Sequence, residues 1–161
     1  MDDIVEVGTG EVKVSVGRGI LRSFAIGSCV VVAAYDSMHK VGALAHIMLP
    51  GSAPDGYAYR TRYAADGIDE LIRQMAVEGS KKPDIEVCLV GGANVLKKDD
   101  DTICKENGES TTRLLAERQI RVRAAVLGGT ERKGVSLNLY CGTVSYMEGD
   151  GPEQVLWEAW N

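Results

Sequence analysis

The chain has 161 residues, a formal net charge of −5 and four cysteines. Its length suits one domain, which would bury about 68–70% of the unfolded surface without disulfides. The negative charge argues against nucleic-acid binding, which depends on clustered Lys and Arg. No uncharged apolar stretch reaches the ~18 residues of a membrane span. No signal peptide or Cys-x-x-Cys pair is present, so we expect a reduced cytoplasmic protein that does not insert into membranes.

The first part of the chain has the pattern of strands. Residues 11–16 alternate polar and apolar side chains, which predicts a strand with one wet face at the edge of a sheet. A further strand is expected over residues 20–26. Two apolar runs, residues 24–36 and 41–50, are separated by a short polar segment. They predict an antiparallel hairpin whose strands are covered on both faces.

The rest of the chain mixes helical and strand patterns. Residues 61–79 predict a helix with one apolar stripe: Ala64, Ile68, Leu71, Ile72, Met75 and Ala76. We then expect a strand at 85–90, a helix at 105–118 with Leu114 and Leu115 inward, a strand at 120–127 and a hairpin of 135–140 with 143–147. Residues 1–161 should therefore form one domain, an α/β (α+β) layered sandwich. Its sheet should be mixed but largely antiparallel, with about two main helices. The tail from residue 147, with Pro152 at a plausible first helical position, is expected to include a short helix.

Cys29 and His46 stand out in the predicted hairpin. If the hairpin is centred between Ser37 and Met38, opposed residue numbers sum to 75, which places Cys29 directly opposite His46. Opposed side chains share a face and lie within reach of a hydrogen bond. A bulge in the turn would instead send the two side chains to opposite faces.

This pair permits two interpretations. A cysteine activated by a histidine is a nucleophile, and backbone N–H groups around Gly27 and Ser28 could hold an oxyanion. The plainer interpretation makes Cys29 a small core hydrophobe and His46 a hydrogen-bonded core histidine. The spacing alone does not decide between them.

Further motifs lie in a specific order along the chain. They are Gly-Ser-Cys-Val at 27–30, Tyr-Asp at 35–36, Val-Gly-Ala-Leu-Ala-His-Ile-Met-Leu-Pro at 41–50, Arg-Tyr at 62–63, Gly-Gly-Ala-Asn at 91–94 and Leu-Gly-Gly at 127–129. From about residue 5 to about residue 146, the sequence resembles the CheD family of chemoreceptor glutamine deamidases. The segment from Gly-Ser-Cys to His-Ile-Met-Leu-Pro is the most specific part of this resemblance.

The resemblance implies a protein-glutamine glutaminase that hydrolyses glutamine amides of methyl-accepting chemoreceptors to glutamate. It implies that Cys29 is the nucleophile and His46 the general base and acid. Ser23 falls where the family usually has Thr, six residues before the cysteine, and would be the third catalytic residue. The proposed chemistry needs no organic cofactor and no metal. The acidity of the chain and the resemblance together predict a protein partner, with a CheC-like phosphatase as the leading candidate.

The sequence also departs from the family pattern. Val126 stands where Asp commonly precedes Leu-Gly-Gly, and residues 130–134 replace a Gly-Arg pair. Cys104 takes the place of Gly in an Ile-Gly-x-x-Asn pattern that ends at Asn107. These changes leave the hairpin intact but affect the expected partner surface and substrate preference. The alternatives to a receptor deamidase are a binding module for a CheC-like phosphatase and another thiol hydrolase of protein amides. Retention of the cysteine and histidine favours an enzyme.

The remaining candidates have simpler interpretations. Cys88, Cys104 and Cys141 are expected to be structural or incidental, and His39 to be solvated in the hairpin turn. The Gly-Gly-Ala-Asn segment at 91–94 lacks the Lys and hydroxyl of a phosphate loop. We therefore expect it to be a tight turn that supports the site.

Overall fold

The computed structural model describes residues 3–159. Its ten strands and two α-helices are β1 (Ile4–Glu6), β2 (Val12–Val16), β3 (Ile20–Ile26), β4 (Val30–Asp36), β5 (Val41–Ile47), α1 (Ala64–Val77), β6 (Glu86–Gly91), α2 (Ile103–Glu117), β7 (Arg121–Leu127), β8 (Lys133–Asn138), β9 (Thr143–Glu148) and β10 (Gln154–Glu158). Single 3₁₀ turns at Arg60–Arg62 and Lys82–Asp84 precede α1 and β6.

The strands form two five-stranded sheets. The first has the order β1-β3-β8-β9-β10 and the second β2-β5-β4-β6-β7. Only the pairs β1–β3 and β6–β7 are parallel within residues 3–159. The α/β sandwich with two helices and largely antiparallel strands is therefore confirmed, although its strands divide between two sheets. Neither helix in this part of the chain has the length and apolar composition needed to cross a bilayer.

The two faces of β4 explain the layers. Val30 and Val32 belong to a core with both helices, whereas Val31 and Ala33 belong to a second core with the first sheet. The order of layers is therefore helices, second sheet, first sheet. All residues of β4 and β5 are buried, as expected for strands covered on both faces. Strand β2 lies at an edge, also as predicted.

Both predicted helices are present. In α1, the apolar stripe buries Ile68, Leu71 and Met75, but Ala76 is exposed, contrary to expectation. The helix stops before Gly79, whose φ of +100° suits glycine. In α2, the predicted inward residues Leu114 and Leu115 are buried. The same helix also buries Asn107, Ser110 and Thr111, which the apolar pattern did not reveal.

The short helix expected in the tail is wrong. Residues 154–158 form β10, which pairs antiparallel with β9, and residues 160–161 lie outside the described part of the chain. The exposed N–H and C=O groups of an edge strand offer pairing partners to an extended segment. So short a segment gains little from helical hydrogen bonds alone. Strand β1, which was not predicted, pairs with β3 in the same sheet.

The hairpin exists, but its predicted register is wrong. Val30 pairs with Ile47 and Val31 with His46, so opposed numbers sum to 77 rather than 75. The turn is longer than assumed because the carboxylate of Asp36 accepts hydrogen bonds from two turn N–H groups, at 3.0 and 3.2 Å. A shift of two leaves every side chain on its predicted face.

Candidate active site

Three neighbouring elements supply the predicted catalytic residues. His46 lies near the end of β5, and Ser23 lies on β3 of the facing sheet. Cys29 lies in the bend between β3 and β4, one residue before β4 begins. His46 is 4% exposed and Ser23 2%, whereas Cys29 is half-buried. The site therefore lies between the two sheets at one end of the central hairpin.

Hydrogen bonds fix the orientation of the His46 ring. Ser23 Oγ lies 2.9 Å from His46 Nδ1 and donates its proton to the carbonyl oxygen of Val7. That carbonyl, which can only accept, lies 3.4 Å from the same Nδ1. Because the serine proton is already used, Ser23 Oγ must accept from Nδ1. We infer from this network that Nδ1 carries the ring proton and that Nε2 is left with a free lone pair.

The electrostatics favour a neutral pair at rest. Burial lowers the pKa of His46, opposed by the hydrogen bond to Val7 and the charge of Glu11. Burial raises the pKa of the Cys29 thiol, opposed by its own backbone N–H. At neutral pH the site therefore holds a thiol and an uncharged imidazole, rather than a thiolate and an imidazolium.

The observed register changes the position of Cys29 relative to His46 across the hairpin. Cys29 packs against the core between the sheets, which contains Val31, the residue paired with His46. The predicted shared face is therefore correct, but Cys29 is diagonal to His46 rather than directly opposite it. No hydrogen bond joins the two side chains, as expected for diagonal positions, which are about 7–8 Å apart at Cα. Such catalytic contacts often form only when substrate binds.

Strand β3 contains a bulge just before the bend that carries Cys29. Ser23 pairs with Val135 and Ile26 with Lys133, so β3 has one extra residue. Ala25, inside the bulge, adopts a φ of +54°. Bulges often lie next to active sites, where they redirect a strand. The Cys29 N–H interacts with its own thiol. Within residues 3–159, the N–H groups of Gly27 and Ser28 donate to no backbone or side-chain acceptor. They are therefore free to bind an anionic oxygen.

Comparison with known proteins assigns the family. The sequence profile described as CheD chemotactic sensory transduction matches residues 48–148. The chain is 37% identical to a probable chemoreceptor glutamine deamidase CheD of Chlorobium luteolum, over 93% of this chain and 75% of that protein. The chain belongs to the CheD family.

Other CheD proteins match over similar lengths. The probable chemoreceptor glutamine deamidase CheD of Pyrococcus abyssi is 33% identical over 87% of this chain and 88% of its own. The chemoreceptor glutamine deamidase CheD of Thermotoga maritima is 30% identical over 92% and 94%. Among solved structures, the hypothetical protein YfiH of Bacillus licheniformis aligns with a TM-score of 0.44 and 18% identity, over 77% of this chain and 60% of that one. That likeness is too distant to inform the site.

Two glycine-rich CheD motifs support the bend: Gly-Gly-Ala-Asn at 91–94 contacts it directly, and Leu-Gly-Gly at 127–129 contacts the first motif. Gly92 N donates to Cys29 O at 2.8 Å and Ala93 N donates to Gly27 O at 2.9 Å, so the predicted supporting turn is confirmed. The Leu-Gly-Gly motif braces that turn through two further backbone bonds, Gly128 N to Gly91 O at 3.0 Å and Asn94 N to Gly129 O at 2.9 Å. Motifs that are far apart in sequence therefore meet behind the cysteine.

The chain leaving β5 is held on the other side of the site. Met48 N and Leu49 N each donate to Arg62 O at 2.9 Å, and Leu49 forms a bridge with Tyr63. The Arg-Tyr motif thus fixes the backbone immediately after His46.

Two contributors to the site were missed from sequence. Val7 supplies the carbonyl that binds both Ser23 and His46, but a backbone oxygen leaves no signal in residue type. Asn107 reaches from α2 to the backbone on both sides of the site. The sequence shows that Asn107 ends the Ile-x-x-x-Asn pattern. Only the structure shows that its side chain is buried and which backbone groups it contacts.

Within residues 3–159, the other three cysteines and His39 make no side-chain hydrogen bond to Ser23, Cys29 or His46. All four cysteines are free, and burial raises the pKa of Cys88 to about 12. Exposed His39 bonds to the buried carboxylate of Asp36, with Nδ1 2.7 Å from Oδ2. Together with Asp84, these two residues form the one group within residues 3–159 with metal-ligand spacing. The Asp36 oxygens already accept four hydrogen bonds, from Met38 N, His39 N, His39 Nδ1 and Ser80 Oγ.

Proposed function

We propose that Cys29, His46 and Ser23 hydrolyse glutamine side-chain amides of chemoreceptors, with the three residues as nucleophile, general base and acid, and orienting residue. The observation that carries this proposal is the buried network of Ser23, Val7 and His46. It holds the proton on Nδ1 and leaves Nε2 free to accept the thiol proton. The half-buried Cys29 on the same face distinguishes this histidine from a hydrogen-bonded core histidine.

Acylation begins from the neutral pair. As Cys29 Sγ attacks the carboxamide carbon, the thiol proton passes to His46 Nε2, which becomes positively charged. The amide oxygen becomes an oxyanion, and the free N–H groups of Gly27 and Ser28 stabilise it. When the C–N bond breaks, His46 gives its proton to the departing nitrogen. Ammonia leaves and a thioester remains on Cys29.

Deacylation repeats the proton transfers with water. His46 Nε2 takes a proton from water as the oxygen attacks the thioester carbon. The C–S bond then breaks, and the proton returns to sulfur as the thiol re-forms. The product is a glutamate, so one neutral amide has become a carboxylate. Such a change of charge on a receptor alters its local electrostatics and can bias signalling.

The substrate class rests on the relatives, which are named chemoreceptor glutamine deamidases. The four free cysteines support a reduced cytoplasmic setting for the reaction. A CheC-like phosphatase belongs to the proposal as a partner, on the strength of the sequence resemblance. Titration calorimetry with the CheC-like proteins of the source organism tests it. If none of them binds, the enzyme acts without such a partner.

Mass spectrometry of a co-expressed chemoreceptor tests the activity. The parent enzyme should add roughly one dalton at each modified glutamine, and Cys29→Ala should abolish that change while the protein stays folded. Cys88→Ala is the matched control, because it removes a sulfur that is buried in the core. Continued deamidation by Cys29→Ala would exclude the nucleophile assignment. Absence of any mass change with the parent would exclude the activity.

A further inference from the structure

Helix α2 buries an unusual polar face. Asn107, Ser110 and Thr111 lie three and four positions apart and are 0%, 4% and 0% exposed. Positions with that spacing share one side of a helix. Burying polar groups is costly unless they form hydrogen bonds. Ser110 Oγ accepts from Gly51 N at 2.9 Å and Asn107 donates two hydrogen bonds, so these two side chains indicate why the face is polar.

Asn107 joins the two halves of the site. Its Nδ2 donates to Ser28 O at 2.8 Å and to Met48 O at 3.0 Å. Ser28 directly precedes Cys29, and Met48 lies two residues after His46. Both amide protons are therefore used on the backbone that carries the nucleophile and the base.

This connection lies where the strand pairing has ended. The last paired residues of β4 and β5 on this side are Val30 and Ile47. Beyond them no backbone hydrogen bond runs directly between the two segments within residues 3–159. The side chain of Asn107 replaces the missing bonds and spans the two diverging ends.

We propose that Asn107 is a positioning residue that sets the separation of Cys29 and His46. This inference rests on the proposed function of that pair. Two carbonyl oxygens require two donors, which the amide of Asn supplies from one nitrogen. Ala supplies none, and Ser supplies one on a shorter side chain. Without the connection the two ends separate, and misplacement by about 1 Å can cost about 10²-fold in rate.

Thr111 offers a matched control. It lies one turn further along the same buried face, and its Oγ1 makes no hydrogen bond within residues 3–159. Thr111→Val keeps the side-chain shape and removes a polar atom without breaking a bond. Asn107→Ala removes two bonds. A comparison of these variants separates the role of the connection from general disturbance of α2.

The experiment measures alkylation of Cys29 by iodoacetamide against pH, read by peptide mapping so that exposed Cys141 is scored separately. As the Cys29 sulfur attacks iodoacetamide, His46 Nε2 should take the thiol proton as it does in the proposed acylation, so His46→Ala should slow alkylation at pH 7. Asn107→Ala should reproduce the His46→Ala profile, and Thr111→Val should keep the parent profile. Simple loosening would have the opposite effect, because a more exposed thiol reacts faster.

Kinetics on the receptor form a separate arm. Asn107→Ala should lower kcat by about 10²-fold while KM changes by less than about threefold. A parent-like alkylation profile or a parent-like kcat in folded Asn107→Ala would overturn the proposal. If that variant does not fold, Asn107→Ser is used, and a parent-like profile there also overturns it. Activity of Cys29→Ala would instead refute the proposed function, and the alkylation arm would still report whether Asn107 couples the two side chains.

Discussion

Ser23 Oγ lies 2.9 Å from His46 Nδ1 and donates its own proton to the carbonyl oxygen of Val7. One hydroxyl thus serves as acceptor for the imidazole and as donor to a backbone oxygen. Because these roles cannot be exchanged, the ring is held in one tautomer. The relationship joins three segments, since Val7 follows β1, Ser23 lies on β3 and His46 lies on β5.

The first prediction concerns this serine. Ser23→Ala should lower kcat about fivefold, equivalent to loss of about 1 kcal/mol of orientation, because the Val7 carbonyl still accepts from Nδ1. Ser23→Thr, which restores the usual family residue, should keep or raise kcat because its χ1 is stiffer. Steady-state rates on a receptor fragment test both variants. If Ser23→Ala equals the parent, orientation depends on Val7 alone.

The second prediction is the pH profile of kcat/KM. The base must be unprotonated, so activity falls as pH falls through the pKa of His46. Burial lowers that pKa below its ordinary 6.5, and the acid limb should therefore lie below pH 6.5. Burial also raises the pKa of Cys29, so no thiolate limb is expected near neutral pH. Rates measured from pH 5 to 9 decide the point, and an acid midpoint above 6.5 would contradict the buried, neutral imidazole.

The third prediction concerns Gly91, which lies behind the nucleophile. A Cβ there would overlap the carbonyl oxygen of Cys29 and lie 3.0 Å from Val30 Cα. Gly91→Ala should therefore cost about 1–3 kcal/mol from overpacking and reduce kcat by moving Cys29. Gly17→Ala is the control, since Gly17 also has a positive φ but no atom within 4 Å of its added Cβ. Gly17→Ala is strained by its positive φ, so urea unfolding should show some loss of stability, but its deamidation rate should equal that of the parent. Gly91→Ala should lose both stability and activity.

The fourth prediction concerns the far end of the hairpin. The Asp36 carboxylate is fully buried and accepts from Ser80 Oγ at 2.8 Å as well as from the turn. Asp36→Ala should lower the free energy of unfolding by about 3 kcal/mol at pH 7. Ser80→Ala, which removes one donor, should cost about 1 kcal/mol. Urea unfolding of the three proteins measures both differences.

The same residue predicts the acid dependence of stability. Burial raises the pKa of Asp36, but the hydrogen bonds from Ser80 and His39 outweigh it and lower the pKa below its ordinary 3.8. The stabilisation is therefore complete above about pH 4 and is lost as pH falls through the folded pKa. The difference between the parent and Asp36→Ala should be constant from pH 7 to 5 and smaller at pH 3. A difference that grows on acidification would contradict this assignment.

Local pattern in the sequence determined much of the fold. The alternation in residues 11–16 gave the edge strand β2, and the long apolar runs gave the buried hairpin. The motifs around Cys29 and His46 also identified the family before any contact was known. These features depend on residues close together in sequence, where periodicity and motif spacing carry direct information.

Only the tertiary structure decided the register, the division into two sheets and the strand β10. A register shift of two keeps each side chain on its face, so alternation cannot distinguish a sum of 75 from one of 77. The Asp36 side chain stabilises the longer turn by accepting hydrogen bonds from two of its N–H groups. Similarly, the Val7 carbonyl contacts the ring nitrogen of His46, 39 positions away, and the Asn107 side chain contacts the Met48 carbonyl, 59 positions away. Such long-range hydrogen bonds bring together groups whose residue types do not reveal the pairing, so the geometry of the site emerges only when the sheets and α2 pack.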